Sequence, residues 1–235
     1  MPKKTLAALL LCLFFYSANA QDFATVAGDW IRVRAEYQDG EQLPRNHGSR
    51  IFVRYVFTGK ELYLVFPGST IVTTYSRAGN HLKIAPVQEF IIEQYTESEI
   101  TLLDATGDDP IRYHLIPTHV FQTNGTVKYS HEVVNADTVY ANAHGIEPIY
   151  KKGNQAFMME LMSGFTQEVG FNFSYVVQKD GTIGDITINA STNPKLDKRL
   201  TQLIRKSSGK WIPATYKGQP INVRLKESVG FNRNN

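Results

Sequence analysis

Apolar and polar positions divide the chain into two differently patterned halves. In the first, short runs of alternating apolar and polar residues are separated by polar or glycine-containing turns. The runs fall at 29–37, 50–57, 61–66, 70–76, 81–85, 88–95, 99–104 and 111–116, with turn signals at Asp39-Gly40, Thr58-Gly59-Lys60, Pro67-Gly68, Ala78-Gly79-Asn80 and Gly107-Asp108-Asp109-Pro110. A period of two is that of a strand with one buried face. Eight such runs without a helical interruption predict an antiparallel up-and-down barrel or sandwich. A barrel of that size has room for side chains or one small ligand.

The second half mixes periods. Phe171, Phe173, Tyr175 and Val177 recur every second residue, Asp180-Gly181 supplies a strong hairpin signal, and Ile186 and Ile188 resume the alternation. Asn193 suits a helix N-cap and Pro194 the first helical position. Leu196, Leu200, Leu203 and Ile204 then lie on one face of a helix that stops near Gly209. After Trp211-Ile212-Pro213, a third strand is predicted, with Ile221, Val223 and Leu225 inward and Asn222 and Arg224 outward. The order is β-β-α-β, so the whole chain belongs to the α+β class. Upstream, residues 154–163 read as a helix with Phe157 and Leu161 four apart, and Met158, Met159 and Met162 widen its apolar face. Such a face packs in a core or serves as an adaptable binding surface. Residues 118–146 are polar and aperiodic: a hairpin of 120–122 with 127–129 turns at Asn124-Gly125, and the rest reads as linker.

Several of these segments carry a resemblance. The pattern of Asp180, Gly181, Ile183, Asp185 and Ile186, then Asn193 to Asp197, Trp211-Ile212-Pro213-Ala214 and Gly218 to Leu225, resembles the TonB C-terminal domain family over residues 137–231. The stretch from Glu147 to Phe157 is similar to that family's opening segment, with Lys152 where many members carry glycine. The resemblance implies a small domain whose last strand accepts the short N-terminal box of an outer-membrane TonB-dependent transporter. That role would fall on Ile221, Asn222, Val223, Arg224 and Leu225, as an edge strand that pairs through backbone groups. The alternatives are that residues 228–235 cover the edge, or that a second copy does, making a structural homodimer. Full-length TonB would also carry a membrane anchor and a long proline-rich spacer. Neither pattern occurs here, so the expectation is partner binding without transmission of force.

A second resemblance concerns the first half. Val26-Ala27-Gly28-Asp29-Trp30 is similar to the G-x-W opening of lipocalins and bacterial lipocalin-like domains. It implies that Gly28 and Trp30 are structural, the indole closing the barrel floor. It also brings a different functional class: a carrier of a small hydrophobic ligand. The domain division expected is a signal peptide at 1–20, a lipocalin-like β domain at 21–117, a linker at 118–136 and a TonB C-terminal-like domain at 137–235.

Composition then narrows the setting. Lys3 and Lys4 precede an 11-residue apolar run and Ala18-Asn19-Ala20, the layout of a cleaved secretory signal. The run is well short of the roughly 20 residues that span a bilayer, so a periplasmic location is expected, with membrane contact only through partners. The single cysteine, Cys12, lies inside this segment, leaving the exported chain without thiol or disulfide chemistry. The formal net charge of +3 falls to +1 without Lys3 and Lys4, yet residues 195–233 hold ten basic and two acidic residues. In an exported protein that stretch fits a solvated face or an acidic partner better than nucleic acid. The six histidines lack metal-ligand spacing. Asp104, Asp108 and Asp109 sit in a glycine- and proline-containing loop, and no nucleophile elbow or phosphate loop is present. No cofactor, metal site or enzymatic activity is expected.

Overall fold

Alternation in the first half closes into a barrel. A computed structural model describes residues 26–86, 88–125, 127–166 and 168–231, so the targeting segment and Cys12 lie outside the described residues. The strands are β1 (Gly28–Tyr37), β2 (Arg54–Thr58), β3 (Glu61–Phe66), β4 (Ser69–Ala78), β5 (His81–Ile84), β6 (Gln88–Tyr95), β7 (Ile100–Asp104) and β8 (Ile111–Pro117). Each pairs antiparallel with the next and β8 returns to β1, giving a closed eight-stranded barrel. Inward positions are taken by Trp30, Tyr55, Phe57, Phe90 and Tyr113 with aliphatic neighbours such as Leu62 and Leu115, so side chains fill the lumen. The second strand starts later than expected. Residues 48–50 form a 3-10 turn, capped by His47 Nδ1, which accepts from the Ser49 amide at 3.2 Å.

The rest of the chain builds a second layer. Its elements are α1 (Thr118–Thr123), β9 (His131–Val134), β10 (Asp137–Ala141), β11 (Ile149–Tyr150), α2 (Asn154–Met162), β12 (Val169–Val177) and β13 (Ile183–Ser191). A 3-10 turn at Pro194–Leu196 leads into α3 (Asp197–Arg205), followed by β14 (Trp211–Ile212), β15 (Thr215–Tyr216), β16 (Gln219–Pro220) and β17 (Asn222–Phe231). The main sheet has five strands in the order β13-β12-β17-β10-β9. β17 runs antiparallel to β12 and parallel to β10. Helices α2 and α3 bury Phe157, Leu161, Leu200 and Ile204 against Phe171, Phe173, Tyr175 and Leu225.

Two expectations are corrected here. The sheet is not three-stranded, because β9 and β10 extend it. The segment 118–136 is not plain linker, since it contains α1 and β9; Val120, Phe121 and Gln122 lie in that helix and not in a hairpin. The reason is a buried anchor. Phe121 is 2% exposed, and the Gln122 amide nitrogen donates to the carbonyls of Gly145 and Thr215, both at 2.7 Å. Its oxygen accepts from the Lys217 amide at 2.8 Å. One glutamine thus satisfies three backbone groups from distant loops, which offsets the cost of burying it.

The barrel and the sheet layer share a core. Val56, Tyr63 and Val65 on the barrel's outer face pack against Ile149, with Ile212 alongside. Beside them Arg54 is buried and grips Asp29 with two bonds, Nε to Oδ1 at 2.7 Å and Nη2 to Oδ2 at 2.6 Å. Its Nη1 donates to the Glu147 carbonyl at 2.8 Å. Burial opposes the charge on Arg54, but the Asp29 carboxylate outweighs it and leaves the guanidinium pKa raised.

Candidate functional site

Positions 221–225 are where the sequence places a binding edge, and the inward–outward phase is as expected. Val223 and Leu225 are buried, whereas Asn222 and Arg224 face the solvent side. The edge itself is elsewhere. Asn222, Val223 and Arg224 pair with Val139, Tyr140 and Ala141 of β10 on one side, and Val223 to Leu225 pair with β12 on the other. The five residues Ile221, Asn222, Val223, Arg224 and Leu225 therefore offer no free strand edge. Arg224 is further occupied by Glu132, at 2.7 Å, and by Asp185. Burial acts against its charge, but the hydrogen bonds to these two carboxylates outweigh it and hold its pKa up.

The free edge begins one residue later. The chain leaves β10 at Asn142, whose amide donates to the Arg224 carbonyl at 3.2 Å. β12 continues beside β17 as far as Phe231 without a register shift, while no other described strand joins the opposite side. Backbone groups in a strand point alternately left and right. Since the Arg224 carbonyl points toward β10, the N–H and C=O groups of Lys226, Ser228 and Gly230 point the same way, into open space. Leu225, Glu227 and Val229 turn theirs to β12. The alternative in which residues 228–235 fold back over the edge is corrected for 228–231, which extend β17 itself.

This edge lines a cleft of about 520 Å³ between the sheet and the β3–β4 turn of the barrel. Its floor is aromatic: Phe157, Tyr175 and Trp211, with ring centroids 5.0–5.8 Å apart. Two polar side chains enter it without partners. Tyr175 is fully buried and its hydroxyl makes no hydrogen bond among the described residues. Glu227 also lines the cleft, with no ion pair or hydrogen bond among the described residues. Burial raises the Glu227 carboxyl pKa, and burial, aided by Glu227, pushes the Tyr175 phenol well above its ordinary value. Tyr175 lay within a segment read from the sequence only as a strand, and Glu227 lies just beyond the strand expected over 221–225. The signal for Glu227 was its phase: it sits where Val223, Leu225 and Val229 point inward.

The remaining expected residues are structural. The Gly28 backbone lies against the Trp30 indole, 3.1 Å from where a Cβ would sit, and Trp30 Nε1 donates to the Ala27 carbonyl at 3.2 Å. Asp180 Oδ1 accepts from the Thr182 amide at 2.9 Å and from its hydroxyl at 2.6 Å, and these bonds lower its pKa. Gly181 has φ +80°, and a Cβ there would meet the Trp211 carbonyl oxygen at 2.5 Å, so hairpin and β14 close only around glycine. Pro194 starts the 3-10 turn behind Asn193, whose side chain accepts from the Lys195 amide at 3.2 Å. Trp211 is buried and donates to Ser207 Oγ at 3.1 Å, and Pro213 Cδ lies beside Gly181. His114 is clamped between Glu36 at 3.0 Å and Glu99 at 2.9 Å.

No family model, curated protein or solved structure matches the chain. Among the described residues, no helix is long and apolar enough to cross a membrane.

Proposed function

We propose that this chain is a non-catalytic binding protein of the Gram-negative periplasm that accepts an extended segment of an envelope protein as an added strand beside β17. The observation that carries the reading is the run of backbone groups at Lys226, Ser228 and Gly230 left unpaired among the described residues, with the cleft at its Lys226 end. Such groups gain hydrogen bonds from an incoming strand with little dependence on its sequence. The resemblance to the TonB C-terminal domain supports an outer-membrane TonB-dependent transporter as the first partner to test. β9 and β13 also have outer edges, but β9 is four residues long and β13 is bulged against β12 in two places, with Asp185 at φ +41°; short and bulged edges are poor templates. The filled barrel lumen favours this reading over carriage of a small ligand inside the barrel.

Photo-crosslinking in the native bacterium tests it. A crosslinker at Ser228 is expected to capture a TonB-dependent transporter or another envelope protein, and the same group at Asn222, already paired with β10, is expected to capture little. Self-crosslinks alone from Ser228, or none, would overturn the proposal.

A further inference from the structure

We propose that the cleft beside β17 is a socket for a cationic side chain, arginine or lysine, carried by the segment that adds to this strand. This rests on the strand-addition reading and specifies the chemistry of the partner. A strand added beyond Arg224 would lie next to Leu225–Gly230, and its side chains would alternate in phase with those of β17. Every second one would therefore enter the face that carries Leu225, Glu227 and Val229. Opposite or diagonal to Glu227, it would meet an unpaired carboxylate, the free Tyr175 hydroxyl, and the rings of Phe157 and Trp211.

That set is complementary to a cation in three ways. The carboxylate supplies the opposite charge, and cross-strand pairs of opposite charge stabilise sheets. Aromatic faces attract guanidinium and ammonium groups. The phenol oxygen accepts an N–H bond. Competing internal cations are engaged or turned away. Arg224 is held by Glu132 and Asp185 on the opposite face, and Lys226, which borders the cleft, alternates toward that same face. Glu147 also lines the cleft, but it is already bound to Arg54, His144 and the Gly145 amide. A neutral polar side chain would leave Glu227 buried without a counter-charge, a state that is costly to hold.

The test is a titration of the exported, 15N-labelled chain with two capped peptides, Thr-Val-Thr-Val-Arg-Val-Thr and the same sequence with neutral citrulline for arginine, followed by NMR. The arginine peptide is expected to bind at least tenfold tighter and to shift the Trp211 indole N–H. Glu227→Gln should erase the difference between peptides, and Glu227→Asp should retain most of it. Equal binding of both peptides to the native chain, or discrimination that survives in Glu227→Gln, would overturn the socket while leaving strand addition intact. Should neither peptide move the Lys226, Ser228 and Gly230 amides, strand addition fails. Ethylguanidinium then decides the socket alone: a saturable Trp211 shift that depends on Glu227 upholds it, and no shift overturns it.

Discussion

Single residues in this protein reveal where stability has been given up. A carboxyl group at an inward strand position with no partner is such a place, and Glu227 is one. Its pKa is higher folded than unfolded, so the folded state binds protons more tightly. The contribution of this group then favours the fold most below the unfolded value of about 4.3 and declines as pH rises through the folded one. Thermal melts between pH 4 and 7.5 should record this decline, and Glu227→Gln should flatten it and raise the midpoint at neutral pH. An unchanged pH profile in the variant would show that Glu227 is not the group responsible. Tyr175→Phe removes a buried hydroxyl that bonds nothing, so it should leave stability unchanged or raise it by up to about 1 kcal/mol. Residue chemistry was unevenly legible in the sequence. The Asp180-Gly181 turn could be read directly, because local backbone rules fix it, whereas a structural part for Trp30 was implied only by the G-x-W resemblance. The inward phase of Glu227 was readable too, but its lack of a partner depends on residues far along the chain.

At the scale of elements, the eight barrel strands and helices α2 and α3 follow their periodicities closely. The relation of β10 to β17 did not emerge from the sequence. A parallel pair needs a long crossover, and here the chain from Asn142 to Ile221 separates the two strands. No local pattern announces it. That single pairing moves the free edge from 221–225 to 226–230. Proline distinguishes the two sides of the strand, because it lacks an N–H and is tolerated where the amide faces outward. Ser228→Pro should therefore cost about 1 kcal/mol or less and abolish peptide addition. Glu227→Pro should break a bond to β12 and destabilise the domain far more. Denaturant titrations with peptide binding on both variants check this, and equal destabilisation would contradict the assigned alternation.

For the whole molecule, the barrel and the sheet layer behave as one body only if their shared core holds. Ile149 is 1% exposed between them, so Ile149→Ala should lose about 2–5 kcal/mol. Arg54→Ala would take the counter-charge from Asp29 and Glu147, leaving them only their neutral or histidine partners, and should cost about 3–5 kcal/mol. Calorimetry should record one transition for the native chain and two for Arg54→Ala, since docking no longer couples the halves. A single transition in the variant would place the coupling elsewhere. Nothing in the spacing of Arg54, Asp29 and Glu147 marks this junction in the sequence, because burial of a charge is a property of the assembled fold. The cleft exists only because the junction sets the barrel's β3–β4 turn beside β17.

Amide hydrogen exchange on the protein alone reports whether β17 presents an open edge from Lys226 onward. Fast exchange is expected at Lys226, Ser228 and Gly230 and slow exchange at Leu225, Glu227 and Val229, an alternation along one strand. Uniform protection from Leu225 to Gly230 in the absence of a partner would mean that the edge is already covered, and would contradict an open edge.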